Sequence, residues 1–261
     1  MYLQIILIAF AASVIGGICG IGGGVIIKPL LDLFGIASVS AASFMSACTV
    51  LSMSLYNVGR NFLDGNSRIE LKTTLPLAIG AAVGGIAGSK CFSLACTLLS
   101  QQTAGLMQSL MLLLLTLGMI FYTLNKEKIK THRVEKAQNC LIIGLLLGLL
   151  SSFLGIGGGP FNIAVLHYFF SMDTKTTSIN SLFIILISQI ANLGSTVIRG
   201  SVPAVSLIPV LLMIFGGITG GIVGHKLNKK LEGATIDKLF LLLMVVIIGI
   251  CIFNAYGYLS C

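Results

Sequence analysis

The residues of this chain best placed to do chemistry have no side chains. Gly20-Ile21-Gly22-Gly23-Gly24 and Gly155-Ile156-Gly157-Gly158-Gly159 are the same five-residue cluster, and each breaks an apolar run. A helix that starts after such a break has its first N–H groups unpaired and pointing back into it. With the macrodipole, equivalent to about half a positive charge, those groups make an anion site. Glycine also lets a ligand approach the backbone closely. The expected substrate-binding backbone is therefore Gly22, Gly23, Gly24, Gly157, Gly158 and Gly159. Small residues also let membrane helices pack closely. That is the reading for Gly80, Gly84 and Gly88 and for Gly216, Gly220 and Gly224, which have the four-residue spacing of a packing face. Three consecutive glycines exceed what packing requires.

Few side chains compete with this backbone. Lys28 is the only basic residue inside an interrupted run. It is either a counter-charge for an anion or a lysine snorkelling to the interface. The helices after the breaks carry Ser43, Ser46, Ser54 and Asn57, and Ser178, Ser181, Gln189 and Asn192, each set on one broad face. Such stripes line a path for a hydrated anion, or they bond neighbouring helices at roughly 0.6 kcal/mol per contact. Asn57 and Asn192 lead, because amide donors suit an oxyanion and recur at matched positions; Ser43 and Ser178 join them as candidates. Asp32, Asp64, Glu70, Glu127, Glu135, Asp173, Glu232 and Asp237 all lie away from the depths of the long runs. A cation pump or proton relay usually needs a buried carboxylate. The seven cysteines form no CxxC and the histidines no ligand spacing, so neither metal nor cofactor is expected. No nucleophile turn with a partnered histidine and no HExxH are present, so an enzyme is not expected either.

The elements that must hold these residues are membrane helices. Of 261 residues, 56% are hydrophobic and 9% charged, with mean hydropathy +1.03. A soluble domain carries about 25% charged residues, so no polar shell exists to cover a core. The net charge of +8 collects in loops, without the basic stripe and interleaved aromatics of a nucleic-acid surface. The N-terminal run lacks a basic n-region and cleavage site, and reads as a membrane segment rather than a signal peptide. Six apolar runs reach the roughly 20 residues a crossing needs, and four shorter ones pair across the glycine clusters.

The chain is also duplicated. An offset of 135 superimposes the two glycine clusters, then Ser43 on Ser178, Ser46 on Ser181 and Asn57 on Asn192; an offset of 136 superimposes Gly80, Gly84 and Gly88 on Gly216, Gly220 and Gly224. The expected N-terminal repeat is 1–124, with a hairpin at 2–36 and helices at 40–59, 73–95 and 103–124. A charged cytoplasmic linker follows at 125–138. The C-terminal repeat is 139–261, with a hairpin at 140–171 and helices at 177–198, 202–225 and 236–257.

Charge placement chooses the topology. If each interrupted pair were one crossing, the sixteen basic residues would divide nine to seven between the two sides. If each pair enters and returns on one side, thirteen of the sixteen share a face, which the positive-inside rule favours. The expected fold is an all-α polytopic membrane protein of two inverted repeats. Each is a glycine-broken re-entrant helical hairpin plus three transmembrane helices. Both termini are expected outside a cell membrane, a prokaryotic inner membrane, with the main basic loops cytoplasmic.

Broken backbone in lipid is tolerated only where protein buries it or a cavity receives it, and paired broken helices in inverted repeats are the plan of secondary transporters. GIGGGVIIKPLL at 20–31 and GIGGGPFNIAVL at 155–166 resemble the duplicated signature of the TauE/SafE sulfite-exporter family. The second departs from it, with Ala164 where a proline matching Pro29 is expected. The resemblance implies transport of small anions such as sulfite, thiosulfate or sulfoacetate. The expected function is secondary transport of such an anion, its partners being the anion, the lipid bilayer and a coupling proton or sodium ion. A passive anion channel on the same scaffold is the alternative, and a membrane-embedded enzyme a more remote one.

Overall fold

The computed structural model describes residues 2–64, 68–156 and 159–260, and among them it is helical with no strand. The first half holds α1 (Tyr2–Cys19), α2 (Gly24–Leu33), α3 (Val39–Leu63), α4 (Leu71–Leu98) and α5 (Gln101–Asn125). The second holds α6 (Ala137–Phe153), α7 (Pro160–Phe170), α8 (Thr174–Ile198), α9 (Leu207–Lys230) and α10 (Gly233–Ser260). Seven of these helices are long and apolar enough to cross a membrane. That is one more than expected, because α1 reaches 18 residues.

Most helices outrun their apolar stretches. Hydropathy marks the part suited to lipid, whereas a helix continues until its hydrogen bonding is capped. Asp173 caps α8 by accepting from the Lys175 and Thr176 N–H groups, so the helix starts at Thr174 rather than 177. Ser38 and Ser100 cap α3 and α5 in the same way. The expected helix at 202–225 instead begins at Leu207, because Pro203 lies in the preceding loop, and it runs on to Lys230. The linker is tied down: the His132 and Val134 N–H groups donate to Tyr168 and Phe169 carbonyls at the end of α7.

Glycines set the main helix contacts. A Cβ added at Gly216 would lie 2.9 Å from Ala9 Cβ; one at Gly220, 2.5 Å from the Phe10 carbonyl; one at Gly224, 2.6 Å from the Val14 carbonyl. The numbers rise together, so α1 and α9 run parallel at backbone contact. Likewise Gly80, Gly84 and Gly88 on α4 meet the backbone of Leu141, Leu145 and Leu149 on α6. These are matched pairs: each repeat's first helix packs on the other repeat's fourth. The expected packing role of both glycine rows is what the contacts show.

The same rule extends inward. Gly217 meets Thr49, and Gly221 meets Met53 and Asn57, so α9 also runs parallel to α3. Thr74 bonds Asn180 at 2.6 Å, and the Ser188 hydroxyl donates to the Ala81 carbonyl at 3.1 Å, so α4 runs parallel to α8. Helices α3 and α8 lie at the centre. Their Met45, Val50, Met53, Leu182, Ile184 and Ile185 are at most 2% exposed. Leu114 and Phe121 on α5, Phe215 on α9 and Leu242 on α10 stay exposed. That distribution suits a lipid-facing rim.

Candidate functional site

The first glycine cluster needs its glycines for two reasons. Gly20, Gly22 and Gly23 take φ of +78°, +77° and +69°, a left-handed region that other residues enter at a cost. Space is also missing: a Cβ on Gly20 would strike the Ser178 backbone, and one on Gly24 the Ile156 carbonyl. The helix breaks between α1 and α2 here, with Gly23 capping α2 without any side-chain bond. Gly157 and Gly158 of the second cluster lie outside the described residues. Gly159 is described, and a Cβ there would sit 3.3 Å from both Val25 and Ile156. The two breaks therefore meet. The apolar residues Ile21, Val50, Ile156 and Ile185 in and beside them are each at most 1% exposed, and Ile21 matches Ile156 and Val50 matches Ile185 at the repeat offset. A Cβ on Gly22 would lie 3.1 Å from Val50 and from Ile185.

A cavity of about 240 Å³ lies toward the end of α3 and the start of α8. Gly17, Asn57, Asn61, Asp64, Arg68, Lys175, Ser178, Ile179, Leu182, His225, Asn228 and Lys229 line it. Asn57 Nδ2 donates to the Met53 carbonyl at 2.8 Å, while Asn57 Oδ1 and Asn61 Oδ1 are buried without a partner. Glycines at 17 and 221 leave room for the Asn57 amide, which would lie 3.1 Å from a Cβ on Gly221. The Ser178 hydroxyl is spent on the Thr174 and Cys19 carbonyls. The single lining carboxylate, Asp64, is already neutralised: it pairs with Lys229, with His225 at 3.2 Å and with Arg60 at 3.2 Å. The Lys229 bond chiefly holds its carboxyl below the usual range, with help from His225 and Arg60 against partial burial. At the same end, burial acts to raise the Asp173 pKa, but bonds from Thr176 and Lys175 and the charge of Arg68 leave it lowered. Arg68 and Lys175 give the cavity a positive surplus.

A second cavity, of about 390 Å³, lies toward the other ends of the same two helices. All twelve residues lining the first have their counterparts at an offset of 135 or 136 among those lining the second. Asn57 becomes Asn192, Asn61 becomes Thr196, Ser178 becomes Ser43, Gly17 becomes Ser152 and Lys229 becomes Ser93. Lys175, His225 and Lys229 give way to serines and Arg68 to Pro203, and Arg199 is the one charged lining residue among those described. Ser152 Oγ, Gln189 Oε1 and Asn192 Oδ1 are buried there without partners. Buried polar atoms almost always find partners, and five such orphans line these two cavities.

The structure thus gathers Asn57 with Ser178, and Asn192 with Ser43, in separate cavities. Gly22, Gly23 and Gly24 line neither cavity, and Val50 and Ile185 pack against the break. Lys28 does not snorkel. Its side chain is 3% exposed and pairs at 2.7 Å with Asp32, also 3% exposed. That carboxylate is buried although no long apolar run contains it, and the i,i+4 spacing of Lys28 and Asp32 on a helix was the signal for it. Sequence reasoning also passed over Asn61, Arg68, Lys175, His225, Asn228 and Lys229. They come from α3, the loop after it, α8 and α9, and the repeat offset does not mark them, because it pairs Arg68 with Pro203, Lys175 with Ser40, His225 with Ser89 and Lys229 with Ser93.

A family model described as sulfite exporter TauE/SafE matches residues 5–250. The probable membrane transporter protein YdhB of Bacillus subtilis (strain 168) is 26% identical over 226 residues, 86% of this chain and 89% of that protein. The probable membrane transporter protein YunE of the same organism is 23% identical over 273 residues, 94% of this chain and 95% of that protein. No solved structure matches.

Proposed function

The chain belongs to the sulfite exporter TauE/SafE family of membrane transporters, and from that premise we propose that it is a secondary transporter of a small sulfur oxyanion or organosulfonate. The observation that carries the reading is the pair of matched cavities. Each lies at an opposite end of α3 and α8, each has positive charge to spare, and the buried Val50 and Ile185 stand between them along those helices. Low-dielectric walls lined by one sign of charge concentrate anions.

The parallel pairing of α1 with α9 and of α9 with α3 makes α1 and α3 run the same way, with α2 returning between them. That supports a re-entrant first hairpin. Matched cavities at opposite ends support inverted repeats. Exchange of access then moves Val50 and Ile185 past the anion. The anion is held successively by Asn57 with Arg68 and Lys175, by backbone N–H groups at the breaks as those side chains part, and by Asn192 with Arg199. The first cavity holds the basic loops and is the cytoplasmic one by the positive-inside rule.

Counterflow tests this. In proteoliposomes loaded with unlabelled thiosulfate, sulfite or sulfoacetate, labelled anion should accumulate transiently and saturably. Asn57→Ala removes a hydrogen bond to a charged group, worth about 1.5–3 kcal/mol, and should raise the half-saturating concentration roughly tenfold or more. Linear, non-saturating flux with no counterflow would mean a channel.

A further inference from the structure

Among the described residues, the most strongly enclosed ion pair lies outside both cavities, on α2. Lys28 Nζ holds Asp32 Oδ2 at 2.7 Å, yet Asp32 Oδ1 is buried with no partner. Gln108 on α5 lines the same small void. Gln108 Nε2 donates to the Phe153 carbonyl at 2.6 Å, which fixes the amide orientation and leaves its Oε1 buried and unpaired as well. Two unpaired acceptor oxygens therefore belong to residues lining one void, beside Ser109, Cys251 and Asn254. The void measures about 10 Å³, at the lower limit of space for one water. A proton on Asp32 Oδ1 supplies the missing donor without needing room; a sodium ion would take the same two oxygens as ligands, and the sodium and potassium media of the test separate the two.

We propose that Asp32 is a proton-binding site, coupled to the transported anion by Lys28. The lysine stem connects the two places: a Cβ on Gly155, which lines the second cavity, would lie 3.2 Å from Lys28 Cε and against Ser43. An anion at that wall draws the ammonium from Asp32, and an unpaired carboxylate in this surrounding takes up a proton and donates it to Gln108 Oε1. When the anion leaves, Lys28 returns and the proton is expelled, so one proton travels with each anion. Among the described residues, Cys251 and Tyr258 on α10 and Cys96 on α4 sense the pair's charges, and α5 brings Gln108 and Ser109 to the void. At the matched positions of the second repeat stand Ile163 and His167, so the ion pair belongs to the first hairpin alone.

This proposal rests on anion transport, and the test separates the two. Proteoliposomes containing a trapped pH dye receive external thiosulfate, chosen over sulfite because sulfite itself carries protons near neutrality. Wild-type protein should acidify the lumen as thiosulfate enters, equally in sodium and in potassium medium. Asp32→Asn should keep thiosulfate exchange but lose acidification at least tenfold. The neutral pair Lys28→Met/Asp32→Leu, which avoids an unpaired buried charge, should lose it too. Infrared difference spectra should show a thiosulfate-induced protonated-carboxyl band in wild type that Asp32→Asn lacks. Thiosulfate flux without acidification, acidification surviving in the neutral pair, or a sodium requirement would overturn the proton site alone. No flux of any tested anion in wild type would overturn both.

Discussion

At the scale of residues, the working groups are polar atoms without partners and charges with too many. Asp64 gathers Lys229, His225 and Arg60 at the rim of the first cavity. Its carboxyl is held below its ordinary pKa, so its stabilisation is complete above that ordinary value and lost as pH falls through the lowered one. The melting temperature of detergent-purified wild type should therefore exceed that of Asp64→Asn near neutrality. The gap should close on strong acidification; a gap constant with pH would contradict the assignment. The sequence showed Asn57, Asn192, Ser43, Ser178 and Lys28 as polar residues in apolar surroundings. It did not show that Asp32 is buried beside Lys28, because the end of a short helix looks like a loop until its neighbours are known.

At the scale of elements, glycine does two different jobs. In the break between α1 and α2 it supplies left-handed backbone, and Gly20 and Gly24 admit another chain segment where a Cβ would collide. Along α4 and α9 it brings helices to backbone contact. Gly84→Leu and Gly220→Leu should each overpack that contact and cost about 1–3 kcal/mol, seen as a lower melting temperature in detergent. Gly118→Ala on α5, where an added Cβ meets nothing within 4 Å, should be neutral or slightly stabilising. Equal effects at all three positions would refute the packing role. The four-residue spacing made this job legible from sequence. Helix ends were less so: the Asp173 cap and the loop containing Pro203 moved the starts of α8 and α9, and neither changes average hydropathy much.

At the scale of the whole molecule, the duplication visible in the glycine clusters turns out to organise space. Every residue of the first cavity reappears, transposed, in the second. The sequence carried that correspondence, but which matched residues would face a common cavity depends on helices exchanged between repeats, α1 onto α9 and α4 onto α6. No periodicity within one repeat contains that exchange. Chemistry diverged while geometry stayed: the first cavity is basic, the second rich in hydroxyls. Such asymmetry suits a carrier that gathers an anion on one side and releases it on the other.

Alternating access requires the two cavities to open in turn around one anion. Asn61→Cys and Thr196→Cys place single thiols at matched positions of the first and second cavity, in a background with the seven native cysteines replaced. Their labelling by a membrane-impermeant maleimide, from the side each cavity faces, is the measurement. Saturating thiosulfate should shift the two rates in opposite directions, one thiol becoming protected as the other is exposed. Rates that stay constant, or rise together as in an open pore, would contradict it.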